Sequence, residues 1–354
     1  VIPFAYLRAL EKPAKYTAIK LVNVSLNLGL NIALLLFLKS WADSSLFWES
    51  LYRPNFEIHY IFIANLIASV ATFLFLIPFY FNLNYRFNSK LWRQMLAYAF
   101  PVLVAGVAFS INETFDRILL ERLLPENLSK TAIGTYSACY KLALFMTLFA
   151  TAYRLGIEPF FFSRAKDKDA KINYAKILEF FVIFGALILL CVVVFVDLLK
   201  IILIPNEAYW EAMDVVPILL LAYLFLGIYH NLSVWYKITD RTKFGAYISI
   251  FGALSTLIIN LLFIPKFGYM ASATATLMAY AAMAFISYVL GQKHYKVPYN
   301  LKKIGLYLML STGFSALSFY VFREQYLVGF GLILILSAVV WAKEKTELKQ
   351  LIKS

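Results

Sequence analysis

The sequence predicts an all-α membrane protein that crosses the bilayer many times, and three observations lead there. Hydrophobic residues make up 62% of the 354 and charged residues 15%, with a mean hydropathy of +0.73. Soluble domains average roughly 45–50% apolar and about 25% charged, so the chain lies outside their range. The apolar residues gather into about ten long runs, near the roughly 20 residues that a helix needs to cross a bilayer at about 1.5 Å per residue. The basic residues alternate from one connection to the next, 23 of the 33 Lys and Arg in one set of loops and 8 in the other. That bias is what the positive-inside rule expects.

A window of about 19 residues places the spans at 16–38, 58–81, 94–120, 131–161, 173–204, 208–236, 243–264, 269–292, 301–321 and 325–342. Ahead of them, Val1–Leu7 reads as the end of an apolar helix already under way, which points to a chain with further helices upstream. The connection 39–57 carries Trp41, Trp48, Tyr52 and Pro54 and reads as an interfacial loop. Pro205, Pro265–Gly268 and Pro298 mark junctions. Pro101, Pro159 and Pro217 fall within or at the ends of spans, where a kink is tolerated if neighbours take up the freed carbonyls. The loops with 23 cations, and the charged tail Lys343–Lys353, are expected on the cytoplasmic side.

The net charge of +13 sits in short loops beside apolar runs rather than in a basic domain, so no nucleic-acid surface is expected. Cys139 and Cys191 lie inside apolar runs and read as small core residues. Neither a disulfide framework nor a metal-ligand spacing is present, and no cofactor is expected. Residues 11–31 and 239–259 form a faint repeat: each has a basic turn, then Lys15-Tyr16-Thr17-Ala18 in one copy and Lys243-Phe244-Gly245-Ala246 in the other. The copies stand six spans apart and so point the same way, which suits a two-lobed fold of parallel six-helix repeats. Residues 1–93 are then the remainder of an N-terminal lobe and 94–292 a six-helix C-terminal lobe. Residues 293–354 add two helices and a tail.

Two adjacent spans break the apolar pattern. The run 94–120 holds Glu113, Asp116 and Arg117, and the run 131–161 holds Lys141, Arg154 and Glu158. A charge in hydrocarbon costs several kcal/mol on most scales, so such residues face protein or water and mark pathways.

Short stretches then resemble a known family. Pro3-Phe4-Ala5-Tyr6-Leu7-Arg8, Asp116-Arg117-Ile118-Leu119-Leu120 with Gly134 and Tyr136-Ser137, Glu158-Pro159-Phe160-Phe161-Phe162, and Asn260-Leu261-Leu262-Phe263-Ile264-Pro265 with Gly268-Tyr269 occur in that order. In these pieces the chain resembles the polysaccharide flippases, the O-antigen and capsule branch of the multidrug/oligosaccharidyl-lipid/polysaccharide exporter superfamily. Ala271-Ser272-Ala273 stands where that family often has Gly-Ala-Ala. The resemblance implies fourteen helices in a complete protein, the fifth to fourteenth being present here, in the bacterial cytoplasmic membrane. It implies a transporter and not an enzyme. Its substrate would be a polyprenyl-diphosphate-linked oligosaccharide, its surroundings membrane lipids, and its partners other polysaccharide-assembly membrane proteins.

Such a substrate needs cations for its phosphates, and Arg suits them because its planar fork donates two parallel hydrogen bonds. Arg154, roughly 10 Å to one side of its span's centre, is the first candidate, and Lys141 lies about as far to the other side. Glu158, at i+4 from Arg154, neutralises it between substrates, or the two form a plain structural ion pair. Glu113 and Arg117 share that spacing, with Asp116 beside them, and read as a structural pair or an outer gate. His230 changes charge near neutral pH, so it is either a coupling site or a hydrogen-bonded packing residue. Two rival functions are an ion-coupled multidrug exporter, which would want a carboxylate-centred cavity, and a membrane glycosyltransferase or polymerase. The latter needs convergent groups on an outer loop, where 39–57 offers only Asp43, Glu49 and Arg53.

Overall fold

Backbone amides in a bilayer have no water to bond, so a spanning chain closes its hydrogen bonds within helices. The computed structural model describes residues 2–9, 13–43, 45–81, 87–165 and 167–353. The described residues form helices and no strands. Nine of those helices are long and apolar enough to cross a membrane. The chain divides into two units, residues 1–89 and 90–354, so helices after 293 belong with the second.

In the first unit α1 (Ile2–Ala9) precedes α2 (Pro13–Ile32), which runs through a π-helical turn, Ala33–Phe37, into α3 (Leu38–Ala42). Then come α4 (Leu46–Leu51), α5 (Glu57–Leu76) and α6 (Pro78–Phe81). α2 packs along α5, and Asn23 fastens them by donating to the Ala68 carbonyl at 3.0 Å and to Thr72 Oγ1 at 2.8 Å. The expected loop 39–57 is largely two short helices. Trp41 and Trp48 pack at 5.2 Å, and the Tyr60 hydroxyl accepts from the Arg53 amide and donates to the Leu51 carbonyl.

The second unit holds α7 (Ser89–Leu123), α8 (Glu126–Ser163), α9 (Ala170–Val194), α10 (Val196–Leu203), a 3₁₀ turn at Glu207–Ala212, α11 (Val215–Leu232) and α12 (Val234–Ile238). It ends with α13 (Lys243–Phe267), α14 (Tyr269–His294), α15 (Leu301–Tyr320) and α16 (Tyr326–Lys353). α11 is the axle: it packs on α8, α9 and α14, while α13 backs α14 and α15 backs α9. α9 and α11 approach closely because each puts a glycine under the other's side chain. A Cβ on Gly227 would overlap the Phe181 ring, and one on Gly185 would overlap Leu224.

Three expectations need correction. The run 173–204 breaks at Phe195 into α9 and α10, and 208–236 begins as the 3₁₀ turn before α11. Pro265 lies inside α13, not past its end; Gly268, with φ +55°, makes the actual turn into α14. The segment 301–321 does form a helix, α15, but it is not among the nine apolar ones. Its Ser311, Ser315 and Ser318 are buried against protein rather than facing lipid.

Candidate functional site

α7 buries a stripe, Pro101, Ala108, Asn112, Asp116 and Leu120, at helical spacing. Among the described residues no helix lies closely along the length of α7, and polar side chains reinforce the attachment. The carboxylate of Glu113 accepts from the hydroxyls of Tyr140 on α8 and Tyr223 on α11, each at 2.9 Å, and from Tyr280 on α14. One carboxylate thus joins four helices. The expected Glu113–Arg117 ion pair does not form, because the phenols occupy the carboxylate. Arg117 donates instead to the Glu113 main-chain carbonyl at 2.7 Å and to Ser137 Oγ at 3.3 Å. It sits 4.5 Å above the Tyr140 ring and pairs with Asp116 at 3.5 Å. Asp116 is 1% exposed.

The candidates on α8 lie apart. Arg154 and Lys141, thirteen residues from each other, are separated by about 20 Å along the helix at 1.5 Å per residue. Glu158 does not pair with Arg154; it accepts from Lys237 of α12 at 3.3 Å, a partner on the facing helix that the i+4 rule cannot see. Arg154 has no hydrogen bond or ion pair among the described residues. The His230 ring packs against Tyr229 at 5.5 Å and Phe109 at 6.3 Å, within electrostatic reach of Arg154 and Lys237. Lys141, likewise without an ion pair, borders a 290 Å³ pocket with Ser137, Asn206 and Tyr209. The structure therefore brings Arg154, His230, Lys237 and Glu158 together at one end, and Glu113, Asp116 and Arg117 in a separate cluster.

Two further charge clusters went unread in the sequence. Lys303 of α15 bonds Glu179 of α9 at 2.7 Å and Glu344 of α16 at 2.9 Å, and Tyr307 donates to Glu344 at 2.6 Å. Glu179 sits in mid-run like Glu113 and carried the same signal. Beyond the end of α9, Asp197 holds Lys200 at 2.5 Å and Arg323 at 3.2 Å. Burial pushes the Asp197 carboxyl up, but its bonds to Arg323 and Lys200 prevail and hold it below the ordinary carboxylate range.

Comparison with known proteins fits this architecture. A family model described as MatE matches residues 101–262 and one described as Polysaccharide biosynthesis protein matches residues 8–155. The fold is similar to that of the lipid II flippase MurJ in an inward closed conformation, with a TM-score of 0.66 over 94% of this chain and 69% of that one, at 17% identity. The two family models together span residues 8–262. Looser likenesses are to an outward-facing multidrug resistance MATE family transporter and to a transporter of the same superfamily from Pyrococcus furiosus. Their TM-scores are 0.44 and 0.43 at 17% and 18% identity, each over 63% of this chain and 51% of the other. Among curated proteins, no sequence matches. The likeness to a known flippase fold over nearly the whole chain agrees with the polytopic helical membrane architecture that the sequence predicts.

Proposed function

We propose that this transporter moves a polyprenyl-diphosphate-linked oligosaccharide across the bacterial cytoplasmic membrane by alternating access, for cell-surface polysaccharide assembly. The observation that carries this reading is the pair Arg154 and Lys141, two cations in one membrane helix that meet no carboxylate among the described residues. Unneutralised cations at membrane depth are expensive unless an anion or water meets them, and a diphosphate supplies that anion. Glu113, the carboxylate that would suit organic cations, is taken up by three phenols, which disfavours the multidrug-export alternative. The likeness to a lipid II flippase and the polysaccharide-biosynthesis model support the same substrate class. The basic loops and the C-terminal tail lie on the cytoplasmic side in this scheme.

The test is a flipping assay in liposomes with a fluorescent polyprenyl-diphosphate oligosaccharide and an external quencher. Transport is expected, with Arg154→Gln reducing it at least about tenfold, the worth of one lost charge-assisted bond. Flux untouched by that change removes Arg154 from the substrate path. Export of organic cations without any lipid movement moves the protein to the drug-exporting branch.

A further inference from the structure

We propose, taking the lipid-linked substrate above as given, that the second unit carries a separate loading site for the diphosphate–sugar junction, away from Arg154. It is a cleft of 760 Å³ between the first turns of α7 and the turn from α12 to α13, lined by Gln94, Tyr98, Asp240, Arg241, Lys243 and Phe244. That turn belongs to the heavily basic set of loops, the side on which the substrate is made in the proposed orientation.

The lining suits a sugar-bearing diphosphate. Arg241 and Lys243 are exposed cations without an ion pair among the described residues, and two cations match the two phosphates of a diphosphate. Bare phosphate recognition would have no use for the Asp240 carboxylate and the Gln94 amide beside them, whereas sugar hydroxyls donate to such oxygens. Ala97 also lines the cleft. Its carbonyl lacks a helical donor, because Pro101 four residues on has no N–H. Tyr98, exposed at the cleft, offers a ring face for a pyranose.

The turn is fixed rather than slack. Asp240 sits at φ +55°, a left-handed conformation that aspartate adopts more readily than most residues and that closes the end of α12. The Arg241 amide, donating to the Tyr236 carbonyl at 2.8 Å, and Thr242 Oγ1, donating to the Tyr98 carbonyl at 3.3 Å, clamp it on either side. Beside the cleft, Glu158 lies within electrostatic reach of Tyr98 and holds Lys237 at 3.3 Å.

The full chain in phosphatidylcholine nanodiscs is titrated with fluorescent polyprenyl-diphosphate N-acetylglucosamine, with its sugarless polyprenyl diphosphate, and with fluorescent phosphatidylglycerol. Arg241→Gln with Lys243→Gln is expected to raise Kd for both diphosphates about tenfold or more and to leave phosphatidylglycerol unmoved. Asp240→Asn, which keeps a side chain at ease at positive φ, should weaken the sugar-bearing probe only. Should the double variant unfold, Asp240→Asn decides alone, and equal changes for the two diphosphates overturn the site. Wild-type binding and flipping that survive the double substitution unchanged also overturn it, leaving the flippase function standing. A wild type that binds phosphatidylglycerol through these cations but neither diphosphate overturns both.

Discussion

At the scale of single residues, Glu113 ties α7 to three other helices of the second unit. Tyr140, Tyr223 and Tyr280 each donate to its carboxylate, and a hydrogen bond to a charged group contributes about 1.5–3 kcal/mol, at the lower end for a half-buried one. Tyr280→Phe should therefore lower the thermal midpoint in detergent by several degrees, while Tyr247→Phe on an exposed face of α13 should not. Equal midpoints for the two would deny Glu113 its anchoring role. The charge of Glu113 within an apolar run was legible in the sequence; its partners were not. Three of 24 tyrosines meet at one carboxylate only because α8, α11 and α14 converge, and nothing in local spacing announces convergence. The same limit misassigned Glu158 to Arg154. The i+4 rule speaks for one helix surface, whereas Lys237 arrives from another chain segment.

At the scale of elements, the helices themselves were legible because hydropathy is a property of contiguous residues. Their ends and their packing were less so. α15 occupies an expected span, but its lysines, glycines and serines make it less apolar than the others, and its buried serines face neighbouring helices. The break at Phe195 carries no proline or glycine to reveal it. Packing of α9 on α11 rests on Gly185 and Gly227, whose role appears only when Leu224 and Phe181 are seen above them. Gly227→Leu should destabilise by about 1–3 kcal/mol through overpacking. Adding Phe181→Ala should return part of that loss, a non-additivity measurable as a double-mutant cycle of thermal midpoints. Strict additivity would mean that the two side chains do not meet.

At the scale of the whole molecule, the uneven Lys and Arg distribution is the ground for the proposed orientation. With Cys139 and Cys191 replaced by alanine, Lys296→Cys should react with a membrane-impermeant maleimide only in inside-out vesicles, and Asn206→Cys only in intact cells. The reverse pattern would invert the scheme and put the Arg241–Lys243 cleft on the wrong face for a substrate made inside. The Glu113 clasp has a consequence at this scale too. Its three phenols come from three helices, so α7 cannot slide a little and keep its bonds, and a half-buried carboxylate stripped of donors is costly. Only two placements are favourable: fully clasped, or withdrawn far enough for water to replace the phenols. Such a helix is expected to move in discrete steps rather than by degrees.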